Sequence, residues 1–186
     1  MRVIAGIARG RKLISKDIKG TRPTLDRVKE SLFNILGYPL NGLLVLDLFS
    51  GTGNLGIEAL SRGADKVVFV DNNLECYKLI NKNINILGFE ERSDVLKADA
   101  ESFLSNTNMK FDIILMDPPY KNIDLIFKVI KIVNEGSILK QDGLLVIEHD
   151  NKFKPIVLPN DQRKYGSTYL SFYSKEKLLE LSNENK

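Results

Sequence analysis

From residue 43 onward the chain alternates short, almost uninterrupted apolar runs with amphipathic stretches, and few folds satisfy that rhythm. The apolar runs fall at 43–49, 66–71, 94–98, 111–117 and 143–148. Between them, helical spacing marks 54–62, 72–87, a short turn at 100–104, and 122–134, where Ile123, Ile126, Phe127, Ile130 and Val133 share one face. Strands that are apolar on both faces must be covered on both faces. The pattern therefore predicts an α/β fold with a mostly parallel sheet between two helical layers. A last pair of runs, 162–165 and 167–174 across Gly166, reads as an antiparallel hairpin that closes the sheet.

Ahead of this core, 2–5 and 12–15 are β-prone pieces around the basic centre Arg9-Gly10-Arg11-Lys12, a loose hairpin. Arg22-Pro23-Thr24 breaks the chain, and Thr24 suits an N-cap. Val28, Leu32, Ile35 and Leu36 then recur at helical spacing until Gly37. Arg27 and Lys29 are read as lying off that stripe, free to face a ligand. The reading is one structural domain: a basic extension over 1–40, a core over 41–175, and a polar tail over 176–186 that frays as a short helix.

Two stretches of the core carry chemistry. The run 111–116 ends at Asp117-Pro118-Pro119-Tyr120. Two prolines offer no N–H to a ladder, so the strand must stop there. It leaves a carboxylate, rigidly held carbonyl oxygens and an aromatic ring, which are acceptors for N–H groups and a surface for stacking. The second stretch is Asp47-Leu48-Phe49-Ser50-Gly51-Thr52-Gly53-Asn54-Leu55-Gly56, a strand, a glycine turn and a helix start. It matches the dinucleotide pattern formally, and Asp71 lies 20 residues past Gly51. In a dinucleotide site, however, the turn receives a pyrophosphate, which the Asp47 carboxylate would repel. A ligand carrying an ammonium and a sulfonium suits Asp47 better, and that ligand is S-adenosylmethionine. Bare glycines let the backbone approach its methionine part. Asp71 would accept from the ribose hydroxyls, and Asp99 is expected near the adenine. The cofactor set expected is Asp47, Phe49, Ser50, Gly51, Thr52, Gly53, Gly56, Asp71, Asn72, Asp99 and Ala100. In such a sheet the fourth strand lies beside the first, so both stretches open on one crevice at the strands' carboxyl ends.

Composition narrows the field. The 186 residues suffice for a single core. No apolar run reaches the ~20 residues of a membrane span, and the start of the chain has no signal-peptide pattern. One cysteine, Cys76, and one histidine, His149, make a disulfide or zinc site improbable. A cytoplasmic, metal-free, monomeric protein is expected, with Cys76 as a small buried apolar residue and His149 at the rim. Net charge is only +3, but residues 1–30 hold nine Lys/Arg against three acids, so the remainder is −3. Clustering of that kind is either a solvated face or the footprint of a polyanion.

At this point the residues resemble a known group. The loop 47–53 and Asp117-Pro118-Pro119-Tyr120 resemble class I S-adenosylmethionine-dependent methyltransferases acting on exocyclic amino groups, with a Rossmann-like sheet. Ile4-Ala5-Gly6, Arg9-Gly10-Arg11-Lys12-Leu13, Arg22-Pro23-Thr24 and Asp26-Arg27-Val28-Lys29-Glu30-Ser31-Leu32-Phe33-Asn34 are similar to the bacterial small-subunit ribosomal RNA methyltransferase D family. The similarity spans nearly the whole chain and thins after about residue 150; Lys12 and Lys29 are conservative departures. It implies methylation of N2 of one guanine in 16S rRNA, in an assembled or partly assembled small subunit. Asp117, Pro118, Pro119 and Tyr120 would be catalytic, and Arg9, Arg11, Lys12, Arg22, Thr24 and Arg27 would bind RNA. An adenine-N6 methyltransferase acting on DNA or RNA uses the same tetrapeptide; a DNA enzyme generally needs a sizeable target-recognition region, and only about 40 residues lie outside this core. A dinucleotide oxidoreductase is disfavoured by Asp47, and a silent RNA-binding module by the intact site.

Overall fold

The computed structural model describes residues 1–15, 26–119 and 122–183. Seven strands form one sheet: β1 (Leu44–Leu48), β2 (Lys66–Asp71), β3 (Ser93–Lys97), β4 (Phe111–Met116), β5 (Leu139–His149), β6 (Asp161–Tyr165) and β7 (Thr168–Ser174). Their order is β3-β2-β1-β4-β5-β7-β6. The first five run parallel, and β7 pairs antiparallel with β5 and β6. Helices α1 (Asp26–Leu36), α2 (Asn54–Ser61), α3 (Leu74–Leu87), α4 (Ala100–Asn106), α5 (Ile123–Glu135) and α6 (Lys175–Asn183) cover it.

Side-chain alternation along each strand divides the core in two. Val45 of β1, Val67 and Phe69 of β2 and Ile113 and Leu115 of β4 pack against α1, α2 and α3. Leu46 and Leu48, Val68 and Val70, and Ile114 and Met116 face the other way, against α4, α5 and α6. The expected face of α5 holds: Ile126, Ile130 and Val133 are buried together with Val129. Asn122 starts that helix by accepting from Leu125 N–H at 3.1 Å. The tail forms α6, which buries Leu178 in the second layer. Among the described residues no helix is long and apolar enough to cross a membrane.

The start of the chain is the expected loose hairpin. Arg2 and Lys12 form a single antiparallel bridge, and Val3 N–H donates to Arg11 O at 3.0 Å. It is docked by side chains of the helices behind it. Ile4 and Ala5 N–H donate to the Glu58 carboxylate at 2.8 and 3.0 Å, and Ala8 N–H donates to Ser61 Oγ at 3.0 Å. Ile14 exchanges two hydrogen bonds with the Asn83 amide. The expected helix cap at Thr24, and Arg22 beside it, lie outside the described residues.

Three expectations are corrected. Lys29 does not face a ligand; it is fully buried. Its spacing to Leu32, Phe33 and Leu36 puts it on the apolar side of α1, where Glu58 neutralises it at 3.2 Å. His149 is not at the rim but 2 % exposed. β7 covers it, since His149 is paired with Tyr169 and stacked on its ring. The strand expected at 143–148 is the longer β5, which reaches Phe111 through Leu139 across a register shift.

Candidate active site

Parallel pairing sets the level at which each strand ends. Leu48 of β1 is in register with Met116 of β4 and with Val70 of β2. The next residues, Phe49 and Asp117, therefore leave the sheet side by side at its carboxyl edge, level with Asp71, the last residue of β2. The glycine loop and the tetrapeptide belong to adjacent strands, as the spacing predicted.

The loop is held from within. Phe49, Gly51 and Gly53 all adopt left-handed backbone, with φ of 62°, 55° and 74°. A non-glycine residue at such a φ is strained, and the surrounding hydrogen bonds hold it there. Ser50 N–H donates to Val70 O at 3.1 Å, while its hydroxyl accepts from Val70 N–H at 2.9 Å. Gly53 N–H returns to Ser50 O at 2.7 Å. Asp71 accepts from Gly51 N–H and Asn73 N–H, both at 2.8 Å, so it clamps the loop to the start of α3.

Asp47 lies beneath the loop rather than on its surface. It is 3 % exposed, and Oδ2 accepts from Gly56 N–H at 2.9 Å. Burial drives its carboxyl up to about 8; the Gly56 N–H opposes that rise and the Asp71 charge adds to it. Gly56 has a packing role: a Cβ there would sit 2.2 Å from Phe69 and 2.9 Å from Asp47 Oδ2. Thr52 is buried, and its hydroxyl lies 3.3 Å from the Met1 sulfur.

The remaining expected positions are arranged along the same edge. Asn72 is exposed, and the neighbouring Asn73 caps α3 by accepting from Glu75 N–H. Asp99 is exposed and caps α4 through Ser102 N–H at 3.0 Å, with Ala100 buried behind it. Asp117 is half-buried, Pro118 buried and Pro119 exposed. Pro119 O accepts from Asn122 N–H at 3.0 Å, which turns the chain into α5. Tyr120 lies outside the described residues. Cys76 is buried as expected; burial first, and the Asp71 carboxylate beside it second, push its thiol up to about 12.

Of the basic positions, Arg9, Arg11, Lys12 and Arg27 are exposed. Arg11 donates to Ile86 O at 3.3 Å. They belong to the hairpin and α1, which dock on α2 directly behind the loop.

Sequence reasoning missed the junction that joins these parts. Glu58 sits in the middle of α2, every residue of which is buried. Its carboxylate takes Lys29 at 3.2 Å and Arg62 Nε at 2.9 Å as well as two hairpin N–H groups. Lys29 Nζ also donates to Arg2 O at 2.6 Å and Asn54 Oδ1 at 2.7 Å. Arg62 packs over the Phe33 ring, 5.0 Å from its centre. The available signal was a charged residue in a helix with no polar face.

Comparison with known proteins agrees with this geometry. The family described as Conserved hypothetical protein 95 matches residues 1–174. Ribosomal RNA small subunit methyltransferase D of Haemophilus influenzae is 37% identical over 164 residues, 87% of this chain and 84% of that protein. YlbH of Bacillus subtilis is 37% identical over 183 residues, 94% of this chain and 99% of its own length. The solved structure of yhhF from Escherichia coli superposes with a TM-score of 0.84 at 28% identity, covering 94% of this chain and 97% of that one. The glycine loop, the strand-end tetrapeptide, the sheet order and these matches over almost the full length lead to one assignment: the chain belongs to the ribosomal RNA small subunit methyltransferase D family of class I S-adenosylmethionine-dependent methyltransferases.

Proposed function

We propose that this chain methylates ribosomal RNA with S-adenosylmethionine, and specifically N2 of a guanine in the 16S rRNA of the small subunit. The observation that carries the reading is the register of β1 with β4, which sets a glycine loop beside Asp117 at one edge of the sheet. The name of the Haemophilus influenzae relative supports rRNA of the small subunit as the substrate. The residues present fit the cofactor. Carboxylates occur at Asp71 and Asp99, and no basic side chain occurs between Asp47 and Gly56, which suits a cation-bearing ligand over a pyrophosphate. A Cβ at Gly53 would crowd Ile80 at 3.0 Å, so the backbone there is bare on its packed side as well as left-handed.

S-adenosylmethionine supplies an electrophilic methyl group on a sulfonium, and the electrons of the breaking C–S bond stay on sulfur. The protein's task is the nucleophile. A guanine amino group is weak because its lone pair is delocalised into the ring. The Asp117 carboxylate and the Pro118 carbonyl each accept one of its N–H bonds, which holds the nitrogen nearer tetrahedral and directs the lone pair along the transfer line. One N–H proton is lost to solvent after the new N–C bond forms, so no histidine base is needed. Pro118 and Pro119 keep the acceptors rigid. Tyr120 stacks on the extruded base, returning roughly 1–3 kcal/mol against an unstacking cost of a few.

Arg9, Arg11, Lys12, Arg22, Thr24 and Arg27 engage the rRNA backbone, with residues 1–40 as the RNA-binding extension of a core over 41–175. The chain acts as a cytoplasmic monomer on an assembled or partly assembled small subunit. Labelled S-adenosylmethionine incubated with 30S particles, naked rRNA and DNA tests this reading. Label on N2 of a single 16S guanine is expected, and label on adenine N6 would overturn it. Asp117→Ala should abolish turnover while cofactor affinity stays within about twofold. Retained turnover would remove Asp117 from the mechanism.

A further inference from the structure

The strand beside the tetrapeptide ends in a second carboxylate, which the methyl-transfer scheme does not use. Met116 of β4 is in register with Ile147 of β5, so the residues that follow, Asp117 and Glu148, stand level on neighbouring strands. They also point the same way. Leu115 and Val146 pack into the layer of α1, α2 and α3, and Asp117 and Glu148 each come two residues later along their strands. Adjacent strands lie about 4.8 Å apart, the scale of one edge of a nucleobase. On the other side of Glu148 stand Leu170 of β7, its partner in register, and then the β6–β7 tip, where Tyr165 meets Ser31 of α1. Glu148 is 7 % exposed in this position. A carboxylate accepts and never donates, and its two oxygens carry about four lone-pair sites, so contacts within the protein leave room for a further N–H.

Guanine and adenine differ at the ring atom beside the amino group. Next to N2, guanine has N1–H, a donor; next to N6, adenine has a bare N1, an acceptor. We infer that Glu148 is the residue that selects guanine: with N2 held at Asp117, the Glu148 carboxylate accepts N1–H of the extruded base. Adenine presented through N6 turns the N1 lone pair toward that carboxylate, and neither group then has a donor. The inference rests on the function proposed above. It supplies what Asp117 alone lacks, because Asp117 accepts equally from either amino group.

Small-subunit particles reconstituted with guanine or with 2-aminopurine at the target position test this. The analogue keeps the amino group at N2 but has a bare N1. The wild-type protein should methylate guanine with a kcat/KM roughly 10- to 100-fold higher, the effect of one hydrogen bond to a charged group. In Glu148→Gln that ratio should fall to about threefold, because an amide can turn its oxygen to N1–H or its NH2 to a bare N1. Glu148→Ala, which has no acceptor, should lower the ratio as well, whereas Glu148→Asp should retain more of it. The exocyclic oxygen that 2-aminopurine lacks affects every variant alike and cancels in the comparison. A purely structural loss lowers both rates together and leaves the ratio where it was. Equal rates on the two bases in the wild-type protein, or an undiminished ratio in Glu148→Gln and Glu148→Ala, would overturn the assignment. Failure of the wild-type protein to methylate N2 of guanine would instead overturn the function on which it rests.

Discussion

The glycine loop and the N-terminal hairpin both rest on α2, yet they are built on opposite principles. The loop closes on near neighbours: its glycines and Ser50 bond within a few residues of themselves and to the adjoining strand β2. The hairpin has a single β-bridge and a few backbone hydrogen bonds of its own, and is tied down by groups 53 to 69 positions away on α2 and α3. One is a self-contained motif, and the other is an attachment whose shape is set by its dock. Residues assigned to a small ligand are thus fixed by local geometry, whereas residues assigned to a large polyanion depend also on tertiary contacts.

That contrast can be broken at Glu58. Glu58→Ala removes the acceptor of two buried cations and two hairpin N–H groups together, and should cost about 3–5 kcal/mol. Chemical denaturation checks the cost, and hydrogen exchange should show Ile4 and Ala5 losing protection while Gly51 and Gly53 keep theirs. Loss of protection in both regions at once would merge them into a single unit. The hairpin's own function is read in salt. If about four of its basic side chains meet phosphates, the log–log slope of RNA affinity is near −3, so a fourfold rise in salt weakens binding roughly 50-fold. A flat response would return Arg9, Arg11 and Lys12 to a solvated face.

The loop should fail by packing instead. Gly56→Ala drives a methyl into Phe69, which should cost about 1–3 kcal/mol in a melt while leaving the salt slope of RNA binding unchanged. The mildest probe is pH. Because the fold raises the Asp47 carboxyl to about 8, its contribution to stability is complete below the unfolded value near 4 and is lost as pH rises through 8. From pH 7 to 9 the ligand-free protein should lose about 1 kcal/mol through this group. Asp47→Asn, which mimics the neutral form, should flatten that part of the stability profile; an unchanged profile would assign the pH response to other groups.

The same contrast explains what could be read from the chain alone. Strand runs, the glycine turn and the stop at Pro118 are local, and each was visible in a window of a few residues. The pairing of β1 with β4 followed from one rule of connection. Lys29 was misjudged because its charge outweighed its spacing, and only the distant Glu58 makes its burial tolerable. His149 was misjudged for a similar reason. Its cover is Tyr169 and its partner Ser171 Oγ, 2.8 Å from Nε2, both on a strand that arrives some twenty residues later. Buried polar residues are satisfied over long sequence separations, and a sequence window does not see that far.

The hairpin's borrowed order also carries a consequence for how the molecule assembles. Ser31 of α1 meets the Tyr165 hydroxyl of β6, a contact across 134 positions, while the hairpin itself waits for α2 and α3. Contacts of that range raise the contact order and slow folding. During synthesis the basic hairpin is made before its dock, because the groups on α2 and α3 that seat it follow 53 to 69 positions later.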